Sequence, residues 1–187
     1  ELILPEASPF AGEDAFRFSH ILVHDAAYAS TPKRTRAELH ERFASWLERL
    51  SGPRLPEFEE ILGYHLELAY RYLAELGPVD ERGLAVASRG ATRLASAGRR
   101  AFARGDMPAA ASLLSRATDL LPEREPARVE LLPELGAVLT ETGAWQEAEA
   151  VLTEAIEEAR ILDDRRSEGL AIVRSLWLHE HSGRFVS

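Results

Sequence analysis

From Lys33 to Leu50 the residues Leu39, Phe43, Trp46, Leu47 and Leu50 recur every three or four positions, the spacing that stacks side chains on one face of a helix. The stretch predicts an amphipathic α-helix, stopped by Ser51-Gly52-Pro53, with Pro56 suited to the first turn of the next one. Phe58, Ile61, Leu62, His65, Leu66, Ala69, Tyr70 and Leu73 keep the same period until Gly77-Pro78, and a further helix runs from Asp80 or Glu81 to Arg104. Ahead of these, Ser19 to Ser30 reads as a short helix closed near Pro32. The opening of the chain is different. Glu1-Leu2-Ile3-Leu4 and Ala15-Phe16-Arg17-Phe18 flank a connection containing Pro5, Pro9 and Gly12, which predicts a β-hairpin.

Beyond residue 84 the pattern repeats. Ala97-Gly98-x-x-Ala101, Gly105, Ala110, Leu114 and Ala117 return as Leu135-Gly136-x-x-Leu139, Gly143, Ala148, Leu152 and Ala155, each displaced by 38 positions. Leu176, His179 and Gly183 open a third copy at an offset of 40. Small residues allow two antiparallel helices to touch, glycine ends the first of them, and alanine and leucine fill the seam. The spacing resembles the tetratricopeptide repeat, lengthened from its usual 34 residues and lacking the aromatic residue early in the first helix. The expected fold class is all-α: stacked antiparallel helical hairpins in a tetratricopeptide-like solenoid, with a small N-terminal β-hairpin. Residues 1-18 are expected to be that hairpin, left from an upstream winged-helix subdomain, because two strands are marginal alone. Residues 19-80 form helical linker hairpins and residues 81-187 the repeats. The third copy is expected to be truncated, and the chain to be a fragment of a larger protein.

A more particular signature runs through the first half: Phe16-x-Phe18-x-His20-x-Leu22-x-x-Asp25-x-x-Tyr28, then Ser30-x-Pro32, Arg36-x-x-Leu39-His40 and Ala44-x-x-Leu47-Glu48. It resembles the stretch after the nucleotide-binding core of STAND-type signalling ATPases, which include LuxR-type transcriptional activators and the ATPase regions fused to class III adenylate cyclases. Thr31 and Phe43 depart from that pattern. The resemblance implies a winged-helix end acting as an intramolecular clamp, followed by helical hairpins and repeats. It also implies an upstream ATPase domain as the intramolecular partner, and a protein or small effector on the repeat surface.

Composition narrows the chemistry. The 187 residues are 45% hydrophobic and 28% charged, enough to bury roughly two-thirds of the unfolded surface and too apolar for a disordered tail. Cysteine is absent, so thiolate nucleophiles, thiolate zinc sites and disulfides are excluded. The sole lysine, Lys33, precedes Arg34, so no Gly-Lys-[Ser/Thr] phosphate loop exists among these residues. No apolar run approaches the ~20 residues of a membrane span, and a cytoplasmic location without membrane contact is expected.

Individual polar residues suggest no reaction. His20 and His24 share a helical face but lack a third ligand, and His40 and His65 read as core histidines. Glu57, Glu59 and Glu60, and the series Glu147, Glu149, Glu154, Glu157 and Glu158, read as solvated helical faces. No catalytic, metal or cofactor residue is assigned, and the fragment is not expected to be an enzyme.

Charge is unevenly spread. Residues 57 to 81 carry net −6, residues 82 to 104 hold six arginines and no acid, and residues 123 to 168 carry net −8. Within the basic segment Arg82, Arg89, Arg93, Arg100 and Arg104 fall on one stripe, opposite Leu84, Ala91, Leu94 and Phe102. Arg89, Arg93, Arg100 and Arg104 are therefore the candidate partner-binding residues. Pairing with acidic neighbours is the favoured role of the stripe. Nucleic-acid binding is the alternative, disfavoured by the chain's net charge of −9. A free-standing tetratricopeptide scaffold is the remaining alternative.

Overall fold

The computed structural model describes residues 2–8 and 12–181. Strands β1 (Ile3–Glu6) and β2 (Ala15–Phe18) pair antiparallel, with Ile3 opposite Phe18 and Glu6 opposite Ala15. Eight α-helices follow among the described residues: α1 (Ile21–Ser30), α2 (Lys33–Ser51), α3 (Leu55–Leu76), α4 (Glu81–Ala103), α5 (Met107–Asp119), α6 (Pro126–Glu141), α7 (Trp145–Ile161) and α8 (Arg165–His181). A single 3-10 turn, Gly52–Arg54, joins α2 to α3. From α2 onward each helix packs on the next, and α6 also meets α8, so the architecture is the expected all-α stack of hairpins with a small β-hairpin at its start. No helix among the described residues is long and apolar enough to cross a membrane.

Local chemistry sets the helix ends. Asp80 accepts from Gly83 N at 2.8 Å and Asp106 from Ala109 N at 3.2 Å, each satisfying a first-turn donor that the helix itself leaves open. Gly105 and Gly143, at equivalent places in the two repeats, take φ of +79° and +77°. There the chain reverses, and the next amide bonds back into the helix: Asp106 N to Ala101 O at 2.9 Å, and Ala144 N to Leu139 O at 3.0 Å. The third-repeat glycine, Gly183, lies outside the described residues, as does Pro9 of the hairpin connection.

The repeat glycines Gly98 and Gly136 are seam residues. A Cβ on Gly98 would lie 3.0 Å from Leu114 Cγ, and one on Gly136 only 2.5 Å from Leu152 Cδ2. The main core is Leu94, Ala97, Ala101, Leu113, Leu114, Ala117, Leu131 and Leu135 with their neighbours. It is flanked by one cluster around Leu47, Leu62 and Leu66 and another around Leu132, Leu152 and Ala155.

Two expected stripes are oriented differently. On α4, Ala91 and Leu94 are buried, but Leu84 and Phe102 are each 42% exposed, because the glycines and alanines of α4 let α3 and α5 close on their own side. On α2, only Leu47 of the apolar stripe is buried. The helix turns Ala37, Ala44 and Ser51 inward instead, and Leu39, Phe43 and Leu50 face outward. Close approach of α3 selects the small residues for the interface.

Candidate functional site

The arginine stripe of α4 looks onto α2 and α3, and its cations meet carboxylates in order along the helix. Arg82 reaches Glu41 at 2.6 Å, Arg89 reaches Glu48 at 3.1 Å, and Arg93 bridges Glu48 and, at 3.6 Å, Glu59. Arg100 pairs with Glu59 as well. One helix further, Glu67 takes Arg116 from α5 and Arg71 from its own helix, both at 2.6 Å. The result is a ladder in which Glu41, Glu48, Glu59 and Glu67 join α2 and α3 to α4 and α5. Burial pushes the Glu48 carboxyl up, but hydrogen bonds from Arg93 and Arg89 outweigh it and hold the group below its ordinary value. Arg104, the last candidate of the stripe, is exposed at the end of α4 and forms no ion pair among the described residues.

Glu59 and Glu158 correct the reading of the acidic series as solvated. Glu59 is 6% exposed beneath Arg93 and Arg100, and Glu158 is buried against Arg128 at 3.0 Å. Glutamates at a helix start or on a charged stretch look solvated in the chain, and only the arginine brought from another helix makes their burial tolerable.

A second cluster unites residues that the chain holds far apart. His40 Nδ1 lies 2.7 Å from His65 Nδ1, His40 Nε2 lies 2.9 Å from Tyr28 Oη, and Tyr28 Oη lies 2.9 Å from Tyr72 Oη. The Arg36 guanidinium stands 4.7 Å over the Tyr28 ring and 5.5 Å over that of Tyr72. It also donates to Ala29 O and Thr31 O, both at 2.8 Å, at the negative end of α1. Helix α1 buries none of its residues, so these polar contacts tie it to the bundle. A neutral His40 ring has one N–H, so it donates to one of its two neighbours, Tyr28 or His65, and accepts from the other. Burial and the bond to Tyr72 push the Tyr28 phenol up to about 12, while Tyr28 and Arg36 lower that of Tyr72.

His40 and His65 thus belong to a four-member network, not to separate core positions. Nothing in the spacing announced it, because residues 25 positions apart meet only when α2 lies on α3. Other histidines have local roles. His20 Nδ1 caps α1 by accepting from Leu22 N at 3.1 Å, and His24 pairs with Asp25 at 2.9 Å. Among the described residues, no three His, Cys, Asp or Glu side chains converge as a metal site.

The network predicts a pH dependence. Burial and the charge of His40 hold His65 at about 4 against an ordinary 6.5, and burial with Arg36 lowers His40. Between those values the unfolded chain binds more protons than the folded one. This stabilisation is therefore complete above about pH 6.5 and is lost as pH falls towards 4. The expected loss is ~2 kcal/mol, less than the full linkage value because both rings keep some solvent access. Urea melts across that range check it: His65→Gln should flatten the slope, and an unchanged slope would remove the network as its cause.

No protein-family model matches the chain. No curated protein shows significant similarity to it either.

Proposed function

We propose that the chain is a non-catalytic regulatory module, the junction of winged-helix end, helical linker and tetratricopeptide-like repeats of a bacterial STAND-type signalling ATPase. The observation that carries this reading is where the signature residues go. Phe18 touches His24, a residue outside the signature, edge-on at 5.3 Å; His24 stacks on Tyr28, Tyr28 binds His40, and Arg36 covers Tyr28 and closes α1. Residues scattered over 23 positions of sequence thus make one joint between the β-hairpin, α1 and the helical stack. A joint of polar contacts on an otherwise unburied helix is the kind of element that a bound effector can shift. On this reading a protein or small effector on the repeats changes how the N-terminal segment packs against an upstream ATPase domain. The ladder from Glu41 to Glu67 makes α2 to α5 the rigid part that carries the change.

Sequencing the parent reading frame outward from both ends tests the family. A Gly-x4-Gly-Lys-[Ser/Thr] loop upstream is the expected result, and a parent lacking it would leave a free-standing helical scaffold. In that parent, Tyr28→Phe removes both hydroxyl contacts of the joint. It should alter nucleotide-dependent output several-fold while the α2–α7 stack melts unchanged, and unaltered output would refute the joint's regulatory role.

A further inference from the structure

Helix α2 faces the wrong way for an ordinary surface helix. Its inward positions are Ala37, Ala44 and Ser51, seven apart, with Leu47 beside them. Its large apolar residues show an outward ridge: Leu39 is 51% exposed, Phe43 38% and Leu50 37%, while the inner side of Phe43 meets the His65 ring at 4.4 Å and half-buried Trp46 packs on the Leu47 and Leu62 cluster. These four positions follow the 4-3-4 spacing of a helix-packing seam.

The ridge has a charged edge on which two arginines stand beside one exposed acid, Glu38. Arg42 and Arg49 are also seven apart, about 10 Å along the axis, and lie on the same side of the ridge. Neither forms an ion pair or hydrogen bond among the described residues, although Glu38 stands four residues before Arg42. On the opposite side of the same helix, Glu41 and Glu48 are fully engaged by Arg82, Arg89 and Arg93. The helix thus ties Glu41 and Glu48 into the ladder and leaves Arg42 and Arg49 unpaired beside the ridge, in a chain whose net charge is −9. Between Leu39, Phe43 and Trp46 on one side and Arg42, Arg49 and the Arg82–Glu41 pair on the other lies an open depression of about 550 Å³, with room for an anchoring apolar side chain.

We propose that the outward ridge of α2 is a docking site for an amphipathic helix of a partner protein, with apolar residues three and four apart and carboxylates two turns apart. The apolar side would interdigitate with Leu39, Phe43, Trp46 and Leu50, and the carboxylates would meet Arg42 and Arg49. A nucleic acid fits less well, because the apolar ridge gives a phosphate backbone nothing to bind, and an anionic bilayer is an outcome that the test separates. The proposal goes beyond the ATPase reading and stands on α2 alone, so the absence of an upstream phosphate loop would leave it untouched.

The test uses three labelled synthetic helices of about 21 residues and fluorescence anisotropy. One carries leucines at the seam positions with glutamates seven apart, the second has lysines in place of the glutamates, and the third has the glutamates moved to the far face. The first should bind the intact 187-residue chain at least about tenfold more tightly than the other two. Leu39→Glu should abolish that binding, and circular-dichroism melts should change little because Leu39 is half exposed. In Arg42→Glu/Arg49→Glu the preference should invert, the lysine helix now binding best. Equal binding of the three helices, or a preference that does not invert, overturns the proposal. So does a homodimer in light scattering that Leu39→Glu dissolves, or binding to phosphatidylserine-rich vesicles that outlasts the loss of peptide binding.

Discussion

Gly136→Leu is expected to lower stability by about 3 kcal/mol or more, the largest effect of any single substitution proposed. A Cβ at this position would sit 2.5 Å from Leu152 Cδ2 and 2.6 Å from Cγ, and Leu152 is fully buried between α6 and α7. Leucine 152 cannot swing away, since Leu132, Ala148 and Ala155 surround it. Helix α7 must therefore move off α6 and lose packing along the seam. Gly136→Ala gives a smaller loss of ~1–2 kcal/mol, because the gain in helix propensity offsets part of the clash. Gly169 in α8 supplies the contrast: nothing lies within 4 Å of its Cβ position, so Gly169→Ala should be neutral or stabilising by up to ~1 kcal/mol. Urea denaturation of the three variants is the check, and equal shifts for Gly136→Ala and Gly169→Ala would show that the seam is not close-packed. Leu176 stands where the third repeat matches Gly136, so a large residue occupies the position that is glycine in the first two copies.

Glu59→Gln should cost about 2–3 kcal/mol. The carboxylate is 6% exposed and serves Arg93 and Arg100 together. Arg100 is already a disfavoured cation, through burial and then through Arg104 beside it. Without Glu59 the two guanidinium groups repel each other over a partly dry surface. The loss stays below the 3–5 kcal/mol typical of a severed buried pair, since the Arg93 and Arg100 side chains keep 23% and 34% of their exposure. Glu59→Gln/Arg100→Met should regain part of it, because removing both charges leaves no stranded ion on that side. Glu57→Gln breaks only the exposed pair with Arg54 and should change stability negligibly. A Glu59→Gln variant as stable as Glu57→Gln would mean that the ladder does not join the linker helices to the repeats. The same ladder bears on the nucleic-acid alternative. With Arg89, Arg93 and Arg100 holding glutamates, a polyanion would have to displace carboxylates already in place. Changing all three to glutamine should therefore lower stability more than it changes any salt-dependent affinity for DNA or RNA.

Much of the architecture was legible in the chain. Helix α2 was expected at Lys33 to Leu50 and spans Lys33–Ser51, and α4 was expected from Asp80 or Glu81 to Arg104 and spans Glu81–Ala103. The 38-residue offset placed the left-handed glycines Gly105 and Gly143 and the seam pairs Gly98–Leu114 and Gly136–Leu152 at matching points. The candidate sites were less legible. Arg89, Arg93 and Arg100 stood out by spacing, but their carboxylates lie 34 to 45 positions away in sequence, and the His40–His65–Tyr28–Tyr72 network had no local signal.

The division has one physical origin. Helix ends, turn glycines and repeat length depend on backbone groups and side chains within a few residues, so the chain by itself determined them: Asp80 can cap only the helix that follows it, and Gly105 can reverse only the chain in which it sits. Which face a helix turns inward is a competition between distant surfaces. On α2 the large residues Leu39, Phe43 and Leu50 lost that competition to Ala37, Ala44 and Ser51, because α3 comes close enough to exclude anything larger. The burial of Glu59 and the meeting of His40 with His65 are consequences of the same approach, and only the tertiary structure decided them.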